Sequence, residues 1–399
     1  MDNHEPYHDD ADDDEDENGD FPSSFSAGGR MQPMSVAAGG DFDASDGSDN
    51  SKSTRKAVIA TLISIVFLVV GLLWTRDESK DGKSRPTVIP DGTDRGHLNG
   101  FGDSVDSQDD DPCQGYDTSY YTDLIWRVEA MNETDPLLCQ STNTKKCECL
   151  HPLRPQLQST HPGWKVVVQM NVDLLQQNYS TLQPDVVLYG DSMVEHLIGR
   201  NYGHHSVDYQ DTAVITKQLM TKRGGGHINA LPMGIAADQI ANLLYRISSG
   251  GEMPESLHPK IWWLMIGTTD LQMGCSIDAV VAGVIHIAQT ILKDNPHQTL
   301  TPIVLNSLLP RGEHDLFAED NAWKNVIAPV NQRLACFAQL TPGVEFVNST
   351  NLVVTTTSDS EEGTHLNESL VMVDHVHLNT EGNRLWEQQI VSNVMELMV

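Results

Sequence analysis

The stretch DVVLYGDSMVEHLIG, from Asp185 to Gly199, runs from a short apolar segment directly into Gly190, Asp191 and Ser192. The apolar part has the length of a buried strand, and loops at strand ends are where a rigid scaffold presents reactive groups. Gly, Asp and Ser are also common turn residues. The stretch alone therefore leaves two interpretations of the serine open, a nucleophile or an ordinary turn residue.

Four further apolar segments are short and bounded by turn residues, as buried strands are. With the first, the predicted strands are Asp185–Gly190, Ile228–Met233, Lys260–Gly267, Pro302–Leu308 and Val344–Val347. Segments with helical spacing alternate with them, at 236–247, 276–292, 321–338 and 380–398. This alternation predicts a three-layer α/β sandwich with a central parallel five-stranded sheet. Ligands bind at the carboxyl ends of strands in such folds, and Ser192 lies at one of these ends.

Two of the helical segments carry local signals. Pro329 lies inside the segment 321–338, which we expect to be kinked or split because proline lacks a backbone N–H. Thr380 opens the segment TEGNRLWEQQIVSNVMELM and is a candidate N-cap residue, since its hydroxyl can accept a hydrogen bond from the first helical turn.

The stretch VDHVHLN near the C-terminus contains groups that can activate a serine. A serine is a weak nucleophile unless a base removes its proton and a third group orients that base. Asp374 and His377 are three residues apart. On one turn of loop, the carboxylate can reach Nδ1 of the imidazole and leave Nε2 free to face a hydroxyl. His375 is a competing base, but it would need a different aspartate.

An acyl-transfer site also needs hydrogen-bond donors for the oxyanion of the tetrahedral intermediate. The backbone N–H of Ser192 is one candidate. Gly234, in LPMGIAAD after the second strand, is another, because glycine lets a backbone amide approach a substrate closely. A third donor could come from Gly267–Asp270 at the end of the third strand. Each glycine alone would be an ordinary strand-end turn.

Taken in chain order, the blocks YGDSM, MGIAAD, IGTTD and DHVHLN resemble the four signature blocks of the SGNH (GDSL-type) hydrolases, from about Trp164 to Leu397. The likeness is nearest to the catalytic subunits of platelet-activating-factor acetylhydrolase, through GDSM, GIAAD followed by LLYRI, LLPRG and DHVHLN. The resemblance implies a serine hydrolase that needs no metal or cofactor. Ser192 would be its nucleophile, His377 its base and Asp374 the residue that orients the base.

The resemblance also implies Gly234 as an oxyanion donor, but the third block departs from the family at Thr269. The family usually has Asn there, and its side-chain amide donates to the oxyanion. A threonine hydroxyl can donate too, but it is shorter and must rotate into place. Losing one oxyanion donor typically costs 10²–10³ in rate, about 3–4 kcal/mol. A non-catalytic binding protein and an acyltransferase on the same scaffold therefore stay open as alternatives.

The first 56 residues are predicted to be a disordered, acidic cytosolic tail. Residues 1–50 contain fifteen acidic residues and one basic residue, a net charge of −14. With so few large apolar side chains, this segment cannot bury enough surface to offset its chain entropy. The net charge of the whole chain is −31, which argues against a nucleic-acid partner, because phosphate contacts need a basic face.

Residues 57–74, AVIATLISIVFLVVGLLW, contain no charged side chain and predict a transmembrane signal anchor. As a helix they would be about 27 Å long, just enough to cross the hydrocarbon core of a bilayer. Basic residues flank both ends, so their count does not orient the span. Residues 75–111 have the composition of an exposed stem, 112–163 form a cysteine-rich N-terminal extension, and 164–399 form the hydrolase domain.

The cysteines and the Asn-x-Ser/Thr sequons orient the protein. All of them follow the predicted span, the cysteines at Cys113, Cys139, Cys147, Cys149, Cys275 and Cys336, and the candidate glycosylation sites at Asn132, Asn178, Asn348 and Asn367. Disulfides and glycans belong to the secretory side, so a type II membrane protein with a lumenal or extracellular C-terminal part is expected.

Disulfides are favoured over a zinc site, because no Cys-x-x-Cys pair occurs. Cys147 and Cys149 are not expected to pair with each other, and Cys275 with Cys336 is a candidate third bridge. The connectivity as a whole stays open, since spacing alone does not determine it.

The sequence thus predicts a membrane-anchored serine esterase that cleaves an O-acyl ester, with O-acetyl as the expected group. Ser192 would attack the carbonyl carbon, and His377 would take and return the proton. The amides of Ser192 and Gly234, with the side chain of Thr269, would bind the oxyanion. On the secretory side, the substrate would be an acylated glycan, glycoprotein or lipid.

Overall fold

The computed structural model describes residues 111–140, 147–178, 184–294, 301–312, 322–356 and 364–399. The predicted tail, the membrane span at 57–74 and all but the last residue of the stem lie outside the described residues. Across the described ranges, no helix has both the length and the apolar character needed to cross a membrane. The span therefore stays a prediction.

Nine strands occur in the described ranges. In chain order they are β1 Val186–Gly190, β2 Arg200–Asn201, β3 His204–His205, β4 Ala230–Gly234, β5 Ile261–Met265, β6 Ile303–Asn306, β7 Val344–Val347, β8 Val354–Thr356 and β9 Thr364–Leu366. Five of them form one parallel sheet in the order β4–β1–β5–β6–β7. These are the five predicted strands, and the central parallel sheet is confirmed. Strands β1 and β5 are buried at every position, as strands covered on both faces are.

The sheet changes direction at β1. The chain passes from β1 outward to β4, and then returns across β1 to β5. In open α/β sheets, the crevice at such a reversal, outside the carboxyl ends of the strands, is where ligands bind. Ser192 follows the end of β1 by two residues, so the fold places it beside this crevice.

Helices surround the sheet in two packed groups. In chain order they are α1 Thr118–Ala130, α2 Trp164–Asn178, α3 Ser192–His196, α4 Gln210–Met220, α5 Ile240–Ser248, α6 Thr268–Gln272, α7 Ile277–Asp294, α8 Ala328–Leu340, α9 Thr350–Val353 and α10 Thr380–Leu397. Helix α7 packs against α1, α5 and α8, whereas α4 packs against α10. A parallel sheet flanked by helices is the α/β sandwich that the strand–helix alternation predicts.

The helical segment with Pro329 stays helical from residue 322 to residue 340 and changes from a π-helical turn to an α-helix just before the proline. Trp323–Ile327 forms a π-helical turn, and α8 begins at Ala328. Proline is therefore at the start of α8, where its missing N–H removes no hydrogen bond of that helix.

The N-cap of the last helix differs from the expectation. Thr380 is the first helical residue, and Asn379 is the cap. The Asn379 side chain accepts hydrogen bonds of 3.0 Å from the backbone N–H groups of both Glu381 and Gly382. Asparagine is at least as good a cap as threonine. Asn379 is the cap because its side chain faces two backbone N–H groups that have no partner within the helix.

The cysteines all form disulfides, which confirms bridges rather than a zinc site. The pairs are Cys113–Cys336, Cys139–Cys147 and Cys149–Cys275. The candidate bridge Cys275–Cys336 is wrong, because each of these cysteines pairs with one in the N-terminal extension instead. No metal-binding cluster occurs in the part of the chain that the structure describes. The extension is thus covalently joined to α8 and to the loop after α6.

Candidate active site

The sequence Gly190-Asp191-Ser192 forms a tight turn between β1 and α3. A side chain at Gly190 would collide with the carbonyl oxygen of Met265, so glycine is required where β1 packs on β5. Asp191 is the N-cap of α3, and its Oδ1 accepts a hydrogen bond of 3.1 Å from the Met193 N–H. Ser192 is the first residue of the helix, so its hydroxyl stands at the sheet edge rather than inside the core.

Ser192, His377 and Asp374 are joined by hydrogen bonds. Oγ of Ser192 lies 2.9 Å from Nε2 of His377, and Nδ1 of His377 lies 2.6 Å from Oδ2 of Asp374. The other carboxylate oxygen accepts the backbone N–H groups of Val376 and His377 at 2.9 and 3.0 Å. Partial burial opposes ionisation of Asp374. The hydrogen bonds from the His377 ring and these amides outweigh it and hold the carboxyl pKa below its ordinary value.

His375 takes no part in this series of hydrogen bonds. Its backbone is left-handed, with φ of 52°, which reverses the chain between Asp374 and His377. Its N–H donates to the carbonyl of Met372, and its own carbonyl accepts from Gly312. The ring that faces Ser192 is therefore that of His377, as the spacing predicts.

Gly234 packs directly beneath the turn that carries Ser192. It ends β4 in register with Gly190. A side chain at Gly234 would collide with backbone atoms of Asp191, Val194 and Glu195. Glycine is therefore required here for the close approach of β4 to α3. This role in the fold is independent of the predicted role of Gly234 in binding an oxyanion.

Thr269 lies in the short helix α6 at the end of β5, and only 6% of the residue is exposed. Its two neighbours are held by other segments. The carbonyl of Thr268 accepts a hydrogen bond of 3.1 Å from Nη1 of Arg311. The carboxylate of Asp270 accepts the backbone N–H of Ile240 at 3.0 and 3.1 Å, which ties α6 to the start of α5. Thr269 thus stands on a rigid segment at the same sheet edge as the serine.

Glu195 is a fully buried carboxylate one helical turn after Ser192 that the sequence did not reveal. Its two oxygens accept three backbone N–H groups, from Tyr202 at 3.0 Å, Gly203 at 2.5 Å and Ala236 at 2.6 Å. It thereby ties α3 to the β2–β3 hairpin and to the turn after β4. Tyr202 has φ of 53°, a costly conformation for a non-glycine residue, and these bonds help to hold it.

Arg246 is a second buried group below the site. Its guanidinium donates to the carbonyl of Gly190 at 3.2 Å and to that of Met233, at the ends of β1 and β4. Asp238 and Glu252, each 2.7 Å away, balance its charge. Burial raises the pKa of Asp238 to about 7, and Arg246 opposes this rise. A sequence signal existed, since Arg246 is the only charged residue in LLYRI.

His196, the last residue of α3, is a further imidazole at the site. Its ring stacks on that of Tyr209, with centroids 3.5 Å apart, and its centroid lies 4.8 Å from that of His377. It is 2% exposed. Burial lowers its pKa to about 3, and the neighbouring His377 acts in the same direction. His196 is therefore neutral at physiological pH, and no sequence motif marked it.

The four candidate glycosylation sites differ in accessibility. Asn132 is exposed, whereas Asn348 and Asn367 are half-buried. The side-chain oxygens of the latter two accept the backbone N–H two residues further along the chain, at 2.9 and 3.2 Å. Asn178 is the last residue of α2. Among the three sites whose side-chain exposure the structure describes, Asn132 is the most exposed.

No protein-family model and no curated protein matches the chain. Solved structures do match it. A candidate platelet activating factor from Streptococcus pneumonia is 19% identical, with 58% of this chain and 92% of that chain covered and a TM-score of 0.40. A candidate acylhydrolase from Bacteroides fragilis is 20% identical, with coverages of 56% and 95% and a TM-score of 0.40. An acetyl xylan esterase is 18% identical, with coverages of 52% and 98% and a TM-score of 0.37. In its four ordered sequence blocks, and in a Ser–His–Asp series at the edge of a parallel sheet, the chain resembles the SGNH (GDSL-type) hydrolases.

Proposed function

We propose that this protein is a serine esterase that cleaves O-acyl esters. The observation that carries the proposal is the hydrogen-bonded series from Ser192 Oγ through His377 to Asp374 at the carboxyl edge of the sheet. With Nδ1 bound by the carboxylate, Nε2 of His377 is the atom available to take the serine proton. A nucleophile, a base and an orienting group in this order are the requirements of acyl transfer through a covalent intermediate.

In the first half of the reaction, Oγ of Ser192 attacks the ester carbonyl carbon while Nε2 of His377 takes its proton. Asp374 holds the imidazole and stabilises the imidazolium. The imidazolium then gives the proton to the leaving oxygen, the alcohol departs, and an acyl-serine remains. In the second half, His377 takes a proton from water as the water oxygen attacks the acyl carbon. The imidazolium then gives this proton to Oγ of Ser192 as the bond from Oγ to the acyl carbon breaks, and the carboxylic acid departs.

The donors that we propose for the oxyanion are the backbone N–H groups of Ser192 and Gly234 and the hydroxyl of Thr269. The N–H of Ser192 is at the start of α3, where backbone donors have no partner within the helix. Gly234 ends β4 and Thr269 follows β5, and these two strands flank β1 in the sheet. This arrangement supports a three-sided oxyanion site, in which the threonine donor is shorter than the asparagine it replaces.

The substrate that we propose is an O-acetylated glycan, glycoprotein or lipid on the secretory side of a membrane. Three disulfides favour an oxidising compartment. The exposed Asn132 within a sequon agrees with that location. The apolar segment 57–74 would anchor the protein as a single-pass type II membrane protein, with the hydrolase domain on a stem.

The proposal is tested with the full-length protein in detergent. A fluorophosphonate probe should label the wild type, and a p-nitrophenyl acyl series should release p-nitrophenol, fastest with acetyl. Ser192→Ala and His377→Ala should do neither. Ser119→Ala, which changes an exposed serine on α1, is the matched control and should behave as the wild type. An unlabelled wild type, or equal labelling of Ser192→Ala, contradicts the proposal.

A non-catalytic binding protein is the second candidate function, and Thr269 is the residue that favours it, because it weakens the expected oxyanion site. Labelling of Ser192 would exclude this reading, since a probe reacts only with an activated serine. The same assay separates hydrolysis from acyl transfer. Adding a sugar alcohol should leave the ratio of free acid to p-nitrophenol unchanged for a hydrolase and lower it for an acyltransferase.

A further inference from the structure

His196 contacts the proposed base from the helix that carries the proposed nucleophile. Ser192 and His196 are four residues apart, so both lie on the same face of α3. The serine meets His377 through a hydrogen bond of 2.9 Å, and His196 meets it ring to ring, with an angle of 59° between the planes. One short helix thus contacts His377 in two ways.

The contact between the two imidazoles is one of packing. Both ring nitrogens of His377 are bound, to Ser192 and to Asp374. The side chain of Asn201 hydrogen-bonds to His196, and Nε2 of His196 has no hydrogen-bond partner within the described ranges. His196 is also not bonded to the serine, so it is not a second base.

Tyr209 fixes the position of the His196 ring. The two rings are nearly parallel, 13° apart, at a centroid distance of 3.5 Å, and Tyr209 is itself 6% exposed. A buried ring held by stacking cannot move aside without opening a cavity, which is costly in a packed interior. His377 therefore packs against a surface that is fixed in place.

We propose that His196 is a positioning residue for His377, whose ring shields one side of the His377 imidazole from water and keeps Nε2 directed at Ser192. This inference rests on the proposed function of Ser192 and His377. The Asp374 bond alone fixes one atom of the imidazole and leaves the ring free to swing about it. Ring packing by a neutral partner limits that swing without adding a charge beside the imidazolium that forms during the reaction.

The test uses two substitutions of His196 in the full-length protein. His196→Ala removes the ring and should lower kcat by about 10- to 100-fold with KM within about twofold, since a misplaced catalytic group loses rate rather than substrate affinity. His196→Phe keeps the ring and its stacking on Tyr209, and should retain kcat within about fivefold of the wild type. Rates are expressed per active site, counted by fluorophosphonate labelling.

The matched control is His151→Ala, at an equally buried histidine whose ring contacts the carbonyl of Val128 in α1. It should lower the melting temperature and leave kcat unchanged. If His196→Ala does not fold, Tyr209→Leu removes the supporting ring instead and should lower kcat at least fivefold. A folded His196→Ala with the wild-type kcat, or an unchanged kcat in Tyr209→Leu, overturns the inference.

A proton NMR signal separates this inference from the proposed function. The Nδ1–H of His377 that donates to Asp374 should give a downfield resonance, which is assigned by its loss in His377→Ala. It should broaden through exchange with water in His196→Ala and stay sharp in His196→Phe, whether or not the protein hydrolyses any ester. An absence of labelling and turnover in the wild type would contradict the proposed function alone. A signal that stays sharp in His196→Ala would contradict the positioning role.

Discussion

Two groups of hydrogen-bonded titratable side chains near Ser192 differ in their exposure to solvent. The side chains of Asp374 and His377 are 45% and 23% exposed, whereas those of Arg246, Asp238 and Glu252 are fully buried. Solvent can stabilise either charge state of the exposed pair, so that pair can change charge during a reaction. An unpaired charge in the interior costs several kcal/mol, so the buried Arg246 guanidinium depends on its carboxyl partners. Exposure therefore suits the first group to the proposed proton transfer, whereas burial suits the second group to a role in the fold.

The largest effect should come from Asp374→Asn. The amide keeps an oxygen for the backbone N–H groups but favours the wrong His377 tautomer, so kcat should fall by about 10³-fold or more. The melting temperature should stay within a few degrees of that of the wild type, because the pair is partly exposed. Steady-state kinetics and thermal unfolding check both halves. Activity within tenfold of the wild type would contradict the catalytic role proposed for the partly exposed pair.

Arg246→Met should act in the opposite way, on the fold. It leaves Asp238 and Glu252 buried without their counter-charge, and should lower the free energy of unfolding by about 3–5 kcal/mol. Urea denaturation measures this. Arg384→Met, which breaks an exposed pair with Glu381 on α10, is the control and should leave the urea midpoint unchanged. Equal effects of the two substitutions would show that burial does not separate the two groups.

Glu387 in α10 is a buried carboxyl group that should make the stability of the fold depend on pH. Its Oε1 lies 2.7 Å from the Thr216 hydroxyl, and burial raises the Glu387 pKa from 4.5 to about 8. The folded protein thus keeps a proton that the unfolded chain loses, so stability should fall as pH rises from about 4.5 to 8. Between pH 5 and 8 the loss should be on the order of 2 kcal/mol larger in the wild type than in Glu387→Gln. Urea unfolding at several pH values measures it, and parallel curves for the two proteins would contradict it.

Thr269 is buried, as Arg246 and its partners are, but it belongs to the proposed site. It therefore tests whether a buried residue contributes to catalysis. Thr269→Asn supplies a longer donor to the oxyanion and should raise kcat by about tenfold, the low end for one donor, because neighbours fitted to threonine resist the larger amide. The control is Thr268→Asn, at a neighbouring residue outside the proposed donor set, which should bring no gain. A kcat that is unchanged or lower, with the fold intact, would remove Thr269 from the oxyanion site.

The predictable parts of this protein are those whose signal is local in the chain. The strand that leads into Ser192 could be predicted from a run of apolar residues bounded by turn residues. The Asp374–His377 pair could be predicted because its members are three residues apart. Both kinds of pattern follow from periodicity and reach, and neither requires knowledge of which strands become neighbours.

The residues that the sequence did not reveal depend on distant partners. Glu195 meets Ala236 across 41 residues, and Cys275 meets Cys149 across 126. Such contacts depend on the order of strands in the sheet, which periodicity does not encode. Helix α5 shows a smaller error of the prediction, which concerns the residue at which the helix begins. Helical spacing begins at residue 236, but the helix starts at Ile240, because Ala237 has a left-handed backbone with φ of 61°.

The bridge between Cys113 and Cys336 has a consequence for the order of events in biosynthesis. The two residues are 223 positions apart, and four of the five strands of the main sheet lie between them. While those strands are being made, Cys113 has no native partner and can be oxidised wrongly with Cys139, Cys147 or Cys149. Formation of this bond therefore marks the moment at which α8 has docked beside the start of α1. A shift in mobility on a non-reducing gel would time that step in newly made chains.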